Sequence, residues 1–267
     1  MSRLLEEQTQ LESRGDGRYV RAIDQGPFWG MVTPHGGYLM ALMLHAMTLE
    51  VGDPLRKPRM LSQHFLGRVK PGEVELEVRV ERSGRAVTSL TARMLSFGQV
   101  VGVANALFSV ATDGPDFLDE PMPQAAPPEG EGEKPDFFMA PVHDRFKYHR
   151  RFGKSGAFVP VEDGGWVTPK DRGDWDYRLA ILMSDIWVPP LIRHPDRMYA
   201  TPSLSHVAHF GPDLDGPDGM PFLVHFGLSS GGEGVTDEEI GIWSGDGRLL
   251  VRARQLRMVV SPEQNQA

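Results

Sequence analysis

The chain has 267 residues, no cysteine and a formal net charge of −8 at neutral pH. This length fits one large domain or two of ordinary size. The negative charge disfavours nucleic acid as a partner, since phosphate binding needs a basic face. Without cysteine the chain can form neither disulfides nor thiolate metal sites, and a catalytic cysteine is excluded.

Residues Met1 to Arg18 are polar and charged and lack the apolar core of a secretory signal. The longest apolar run, Tyr38 to Met47, is interrupted by His45. It is also shorter than the roughly 20 residues that a membrane span needs. The sequence therefore predicts a cytoplasmic protein without a membrane span.

The first half predicts one helix followed by strands. Gly36 to Val51 is apolar on nearly every side, so this helix should be buried nearly all round. Glu73 to Val80 alternates strictly between polar and apolar residues, which is typical of a strand with one wet and one buried face. The predicted strands are Met60–Leu66, Gly72–Glu81, Thr88–Leu95 and Val100–Ala111.

The second half follows the same plan after a segment rich in Pro, Gly and acidic residues. That composition cannot bury enough surface to offset its ordering entropy, and it predicts a linker. An opening strand near Phe146 to Val161 precedes a helix near Asp176 to Val188, which Pro189 and Pro190 end. The predicted strands are Ser203–Phe210, Phe222–Leu228, Glu239–Trp243 and Arg248–Val260.

Two segments of the first half recur in the second. Gly98–Ala106 aligns with Gly247–Gln255, and Ser62–Phe65 aligns with Val207–Phe210 at a separation only four residues shorter. The last aligned position has alanine in the first half and glutamine in the second. Where two copies of one fold differ at an inward position, the polar copy is the candidate for chemistry, and here that is the C-terminal half.

The fold class predicted is α+β, with two tandem repeats that each wrap an antiparallel sheet around a central helix. The repeats are predicted at residues 1–111 and 136–267, with the linker at 112–135. A solenoid is not expected, because solenoid repeats are only about 20 to 50 residues long.

Several short segments carry a family resemblance: His35–Tyr38, Arg82–Arg85, Ser184–Asp185, Thr201–Ser205, and Trp243–Leu249 leading to Gln255. In this order they resemble the double-hotdog acyl-CoA thioesterases of the thioesterase II type. The resemblance implies thioester hydrolysis by a water that an Asp, a Thr or Ser and a Gln hold. The matching positions are Asp185, Ser203 and Gln255. The family member with the best-known site has threonine at Ser203 and an acidic residue at Ser205.

Thioester hydrolysis needs an activated water, a proton acceptor and donors for an oxyanion. Asp185 lies among apolar residues, and we expect desolvation to raise its pKa and make it a better base near neutrality. The alternative is a helix aspartate that faces solvent or caps a turn. Ser203 follows a proline, and its alternative is a turn or edge hydroxyl.

Alternation from Val251 to Arg257 predicts that Val251, Ala253 and Gln255 face inward and that three arginines face outward. A buried amide needs hydrogen-bond partners, and orienting a water against Asp185 would supply them. The alternative is a glutamine at a dimer seam or bonded to backbone.

His35, Gly36, Gly37 and Tyr38 are the predicted substrate-binding residues. Backbone N–H groups at a helix start attract negative charge, and the two glycines allow close approach of a thioester carbonyl. The alternative is that the glycines only let the helix and sheet pack tightly.

Basic residues near the opening strand of the second half could bind coenzyme A phosphates, or they could form the solvent-exposed face of that strand. They are Arg145, Lys147, His149, Arg150, Arg151 and Lys154. The sequence predicts no cofactor and no metal, because His206 and His209 should face opposite sides of a strand and no zinc motif occurs.

Three functions compete. The first is hydrolysis of acyl-CoA, the second a non-catalytic acyl-CoA or lipid-binding double hotdog, and the third a hotdog dehydratase or hydratase. The third ranks last, since its usual pairing of His with an acidic residue has poor inward candidates here. Uncovered edge strands favour a homo-oligomer.

Overall fold

The computed structural model describes residues 3–115, 121–135, 137–153, 162–171, 175–193, 199–212 and 221–261. The first half contains α1 Arg3–Thr9, β1 Glu12–Gly15, β2 Arg18–Ile23, α2 Gly36–Val51, β3 Lys57–Phe65, β4 Gly72–Ser83, β5 Val87–Ser96 and β6 Gln99–Ser109. The second contains β7 Phe146–Phe152, β8 Glu162–Pro169, α3 Tyr177–Met183, β9 Ser203–Phe210, β10 Phe222–Gly232, β11 Val235–Trp243 and β12 Leu249–Met258. Short 3-10 helices lie at Pro141–Arg145 and Pro190–Arg193.

The described strands form one 12-stranded sheet in the order β1-β2-β4-β5-β6-β3-β9-β12-β11-β10-β8-β7. The second half repeats the order of the first in mirror image, and β3 pairs with β9 at the centre. The predicted antiparallel α+β architecture is confirmed. The second half opens with two strands, β7 and β8, instead of the single one predicted, and residues 154–161 of that predicted strand lie outside the described ranges. In the first half α1, β1 and β2 precede α2.

α2 has the bounds predicted from the sequence and is buried over most of its length, with Leu49 exposed near its end. Every residue from Gly37 to Leu44 is buried, and the helix packs against α3 and the strands of the first half. Gly52 ends it in the left-handed conformation and donates its N–H to the Thr48 carbonyl. No helix within the described residues is long and apolar enough to cross a membrane.

α3 is shorter than predicted, and Asp185 lies beyond its end. Asp176 caps the helix start by accepting the N–H groups of Arg178 and Leu179. After Met183 the chain tightens, and the Asp185 N–H bonds the Leu182 carbonyl at 3.2 Å. Asp185 is therefore presented by a turn between α3 and the two prolines.

Strand pairing supports the duplication. Leu61 pairs with Ala106 in the first half, as His206 pairs with Gln255 in the second. These are the residue pairs that the sequence alignment makes equivalent. Two inward positions therefore gain polar side chains in the second half. The first half also has an inward polar residue, Gln63, which lies opposite His206 across the central seam.

The described part of the linker packs against the second half, contrary to the expectation from its composition. The Ala126 carbonyl accepts hydrogen bonds from Trp166 Nε1 at 2.7 Å and from Arg151 Nε at 2.8 Å. The Glu133 N–H bonds the Tyr148 carbonyl on the edge strand β7. Met122 and Ala125 also pack against Trp166, Leu223 and Trp243, so both backbone hydrogen bonds and apolar side chains hold this segment. The boundaries at residues 111 and 135 stay predictions.

Candidate active site

Three elements bring Asp185, Ser203 and Gln255 together. Asp185 follows α3, Ser203 begins β9 and Gln255 lies on β12, which pairs with β9. The Gln255 Nε2 donates hydrogen bonds to Asp185 Oδ1 at 3.1 Å and to Ser203 Oγ at 2.7 Å. Both the carboxylate and the amide are buried, so these bonds form where water competes little.

The glycines at the start of α2 pack against this carboxylate. The Gly37 N–H donates to Asp185 Oδ2 at 2.9 Å. A Cβ atom on Gly36 would lie 2.7 Å from Asp185 Oδ2, and one on Gly37 would lie 2.7 Å from the Leu182 carbonyl oxygen. The glycines therefore permit close packing, and the anion at the helix start is the carboxylate of Asp185 itself.

His35 and Tyr38, which flank the two glycines, make contacts with different parts of the protein. The His35 Nε2 lies 3.7 Å from Asp185 Oδ2, and its Nδ1 is buried without a hydrogen-bond partner among the described residues. Tyr38 donates its hydroxyl to the Gln8 carbonyl at 2.8 Å, and its ring stacks on Phe28. His35 thus lies beside the carboxylate, whereas Tyr38 fixes the N-terminal helix.

Arg257 also belongs to the site, and its predicted outward orientation is wrong. Arg254 is exposed on the outer face, but Arg257 is only 7 % exposed. The Arg257 guanidinium donates to Asp185 Oδ1 at 2.7 Å, Gln255 Oε1 at 2.9 Å, Ser203 Oγ at 3.1 Å, the Thr201 carbonyl at 3.2 Å and Glu238 Oε2 at 2.7 Å. The two-residue period that turns Gln255 inward also turns Arg257 inward, so the signal was present.

Glu238 is the second residue that the sequence analysis missed. The predicted strand began at Glu239, but β11 begins at Val235 and its inward residues include Thr236, Glu238 and Ile240. Burial raises the pKa of Glu238, while Arg257 acts in the opposite direction. The charge of Arg257 lies between two buried carboxylates.

The pKa of Asp185 is held well below the usual value for aspartate, which contradicts the predicted increase. Burial is the largest single influence and raises this pKa, but nearby charges and the Gln255 hydrogen bond outweigh it. At neutral pH the cation responsible is Arg257, because burial lowers the pKa of both His35 and His206 and leaves them uncharged. The apolar neighbours in the sequence are not the groups that the carboxylate meets.

His206 contributes a neutral imidazole behind the site. Its Nε2 lies 2.9 Å from Ser184 Oγ, and its Nδ1 has no hydrogen-bond partner in the described ranges. His209 is exposed, as alternation predicts, and His225 pairs with Glu162. The part of the chain that the structure describes contains no cluster of three or more residues suited to a metal.

Buried histidines should make the fold sensitive to acid. Burial lowers the pKa of His206 and of His45 to about 4 and that of His143 to about 3. Unfolded chains bind these protons near pH 6.5, so stability is complete above that pH and falls as the pH is lowered towards 4. The raised pKa of Glu238 stabilises the fold as the pH falls, and so offsets part of the loss that the histidines cause.

We expect the free energy of unfolding to fall by about 2 kcal/mol between pH 7 and pH 5 from His206 alone. Urea unfolding at the two pH values measures it. Position 61, the equivalent of position 206 in the first half, has leucine. The variant His206→Leu should therefore be tolerated and should lose less stability than wild type between pH 7 and pH 5. An equal loss in wild type and variant would contradict the assignment to His206.

Three of the basic residues near β7 pair within the protein, whereas Arg145 Nε and both ring nitrogens of His149 are buried without a hydrogen-bond partner among the described residues. Lys147 pairs with Glu131 and Arg150 with Asp163, while Arg151 bonds linker carbonyls. Lys154 lies outside the described residues. The adjacent groove of about 570 Å³ is lined by both acidic and basic residues, namely Glu129, Glu131, Glu133, Lys134, His149 and Arg150, and by none of Asp185, Ser203 and Gln255. The contacts of Lys147, Arg150 and Arg151 favour a structural role for these three residues over phosphate binding.

Comparison with known proteins gives a consistent assignment. Residues 25–109 match the family model "Acyl-CoA thioesterase N-terminal domain", and residues 119–259 match "Acyl-CoA thioesterase C-terminal domain". A hot dog fold protein of unknown function from Alicyclobacillus acidocaldarius is similar, with a TM-score of 0.86 and 20% identity over 98% of this chain and 100% of that one. An acyl-CoA thioesterase II from Mycobacterium marinum has a TM-score of 0.75 and 19% identity over 97% and 98% of the two chains.

No curated protein matches the sequence. The similarity to these structures and the mirrored sheet of this chain together show a double hotdog fold. The family matches together cover most of the chain, in the order of its two halves. The protein therefore belongs to the acyl-CoA thioesterase family.

Proposed function

We propose that this protein hydrolyses acyl-CoA thioesters to a free acid and coenzyme A, with a water activated by Asp185, Ser203 and Gln255. The observation that carries the proposal is the convergence of these side chains through the Gln255 amide. They come from distant parts of the sequence and meet in a buried polar cluster. Buried polar groups are costly unless they are satisfied, and functional sites are where such clusters concentrate.

The Asp185 carboxylate has room for one more hydrogen bond. Its Oδ1 accepts from Gln255 and Arg257, and its Oδ2 accepts from Gly37. A carboxylate oxygen accepts about two hydrogen bonds, so we place the water against Oδ2, on the side of His35. The His35 side chain is 11% exposed and that of Asp185 is 4% exposed. This difference favours approach of the substrate past His35.

In the proposed reaction the water oxygen attacks the thioester carbonyl carbon while Asp185 accepts one of its protons. Ser203 Oγ already accepts hydrogen bonds from Gln255 and Arg257, so its own proton is available to the developing oxyanion or the water. Collapse of the intermediate breaks the carbon–sulfur bond. The coenzyme A thiolate leaves and takes the proton from Asp185, and the acid is released.

A thiol-release assay with acyl-CoA esters from acetyl to palmitoyl, and one aromatic ester, tests the proposal. We expect release of coenzyme A from at least one ester, and the preferred chain length would identify the substrate class. Folded protein that releases no thiol from any of these esters would contradict hydrolysis as its function.

A non-catalytic acyl-CoA-binding protein is the second candidate. The low pKa of Asp185 favours it, because a weakly basic carboxylate has less driving force to accept a proton. Calorimetric titration with coenzyme A and with a non-hydrolysable thioether analogue separates the two. Tight binding together with no turnover of any ester would support this candidate.

The proposal keeps two further predictions from the sequence, a cytoplasmic location and a homo-oligomer. The sheet ends in β1 and β7. The linker covers part of β7, whereas all four residues of β1 are exposed. An uncovered edge strand is a ready surface for pairing with another chain.

A further inference from the structure

Arg257 is the most highly connected side chain of the candidate site. It is the one residue among those described that donates to Asp185, Ser203 and Gln255 together. Its Nε donates to Glu238, whose side chain has no exposed surface. Thr236 Oγ1 reaches the other carboxylate oxygen of Glu238 at 3.5 Å. A buried arginine with five such contacts is held in one orientation.

We infer that Arg257, held by Glu238, is a positioning residue that fixes the Gln255 amide, the Ser203 hydroxyl and the charge of Asp185. The inference rests on the proposed function, since positioning has meaning only for a site that performs chemistry. Arg257 acts through these three side chains and is not itself expected to touch the substrate.

The orientation of the Gln255 amide follows from the donors around it. Gln255 Oε1 accepts a hydrogen bond from Arg257 Nη2, and arginine has no acceptor. A flipped amide would bring its NH₂ group against the guanidinium and its oxygen against the Asp185 carboxylate. Both contacts would be repulsive, so Arg257 directs Nε2 towards Asp185 and Ser203.

The Ser203 hydroxyl is fixed by the same guanidinium. Its oxygen accepts from Arg257 Nη1 at 3.1 Å and from Gln255 Nε2 at 2.7 Å. Two accepted bonds use both lone pairs of a hydroxyl oxygen and leave its proton to be donated. Arg257 therefore makes Ser203 a donor towards the reacting groups.

The charge balance gives the sharpest consequence. The groups that face Asp185 are Arg257 from β12, Glu238 from β11, His206 from β9 and His35 at the start of α2, and His143 lies behind His35. Burial leaves the three histidines neutral near pH 7. Arg257 then stabilises the Asp185 anion, while Glu238 opposes it. Removal of Arg257 should therefore raise the pKa of Asp185, and removal of Glu238 should lower it.

The test compares the pH dependence of kcat/KM in Arg257→Met, Arg257→Lys and Glu238→Gln. The acid limb is the part of the profile where kcat/KM falls because Asp185 binds a proton. Arg257→Met should move this limb up by about 1–3 pH units, because the guanidinium that stabilises the Asp185 carboxylate is lost. Glu238→Gln should leave the limb at or below its wild-type position. Arg257→Lys should keep the limb near wild type but lower kcat at least tenfold, since an ammonium group cannot reproduce the planar fork.

Matched controls come from the outer face of the same strands. Arg254→Met removes an exposed arginine of β12, and Glu239→Gln changes the exposed neighbour of Glu238. Both should have wild-type profiles. Loss of activity in Arg257→Met and Arg257→Lys alike, with the acid limb at its wild-type position, would overturn the inference and leave the proposed hydrolysis intact.

A second measurement does not depend on turnover. Without Arg257 the buried Asp185 should bind a proton more readily, so the urea midpoint of Arg257→Met should approach that of wild type as the pH falls from 7 to 4, where aspartate of the unfolded chain begins to bind protons. In an Asp185→Asn/Glu238→Gln background, where neither carboxylate that contacts Arg257 can titrate, the same substitution should give a pH-independent shift. A shift of equal size at both pH values in both backgrounds would overturn the inference, even if the protein hydrolyses no ester. If Arg257→Met is insoluble, Arg257→Met/Glu238→Gln removes the pair together and should also raise the limb.

Discussion

Replacement of Asp185 by asparagine should lower kcat/KM for acyl-CoA hydrolysis by about a hundred- to ten-thousand-fold, the usual contribution of a general base. An amide cannot accept the proton of the water. Asp185 accepts from Gly37 through one oxygen and from Arg257 and Gln255 through the other. In either orientation, the NH₂ group of the asparagine would therefore face a hydrogen-bond donor. Thiol release measures the effect, with circular dichroism to check that the variant folds.

Asp237→Asn is the matched control for this substitution. Asp237 also pairs with an arginine, Arg254. This pair lies on the outer face of β11 and β12, the strands whose inner face carries Glu238 and Arg257. We expect a wild-type rate from the control, since surface ion pairs contribute little. A folded Asp185→Asn protein with undiminished turnover would show that the carboxylate is not the base.

Replacement of Gln255 by alanine should lower kcat by about a hundred- to a thousand-fold, as removal of one preorganised donor does elsewhere. Gln255 Nε2 bridges Asp185 and Ser203, so its loss frees both side chains from their common orientation. The effect should fall on kcat more than on KM, because the amide is expected to act on the water and not on the bulk of the substrate.

The chain itself provides the control for Gln255→Ala. Ala106 is the equivalent residue of the first half, so alanine is compatible with this position in the strand. Leu256→Ala changes the next residue of β12, which is exposed on the outer face. It should retain wild-type kcat. Equal kcat values for Gln255→Ala and Leu256→Ala would contradict a role for the amide.

Much of the fold follows from patterns that are local in sequence. α2 has its predicted bounds because its residues are apolar all round and Gly52 supplies the left-handed cap. Most strands lie within a few residues of their predicted positions, since alternation is a property of neighbouring residues. α3 was predicted too long because the turn that presents Asp185 depends on contacts with α2 and β12.

The sequence by itself determined the duplicated α+β fold and, through its resemblance to a known family, the three side chains proposed to hold the water. The tertiary structure alone decided the electrostatics of that site. Asp185 was expected to have a raised pKa because its sequence neighbours are apolar, but its spatial neighbours are Arg257, Gln255 and the Gly37 N–H. A pKa depends on charges and donors within a few ångströms. Strand β12 brings Gln255 and Arg257 from 70 and 72 residues away in the sequence, and the start of α2 brings the Gly37 N–H from 148 residues away.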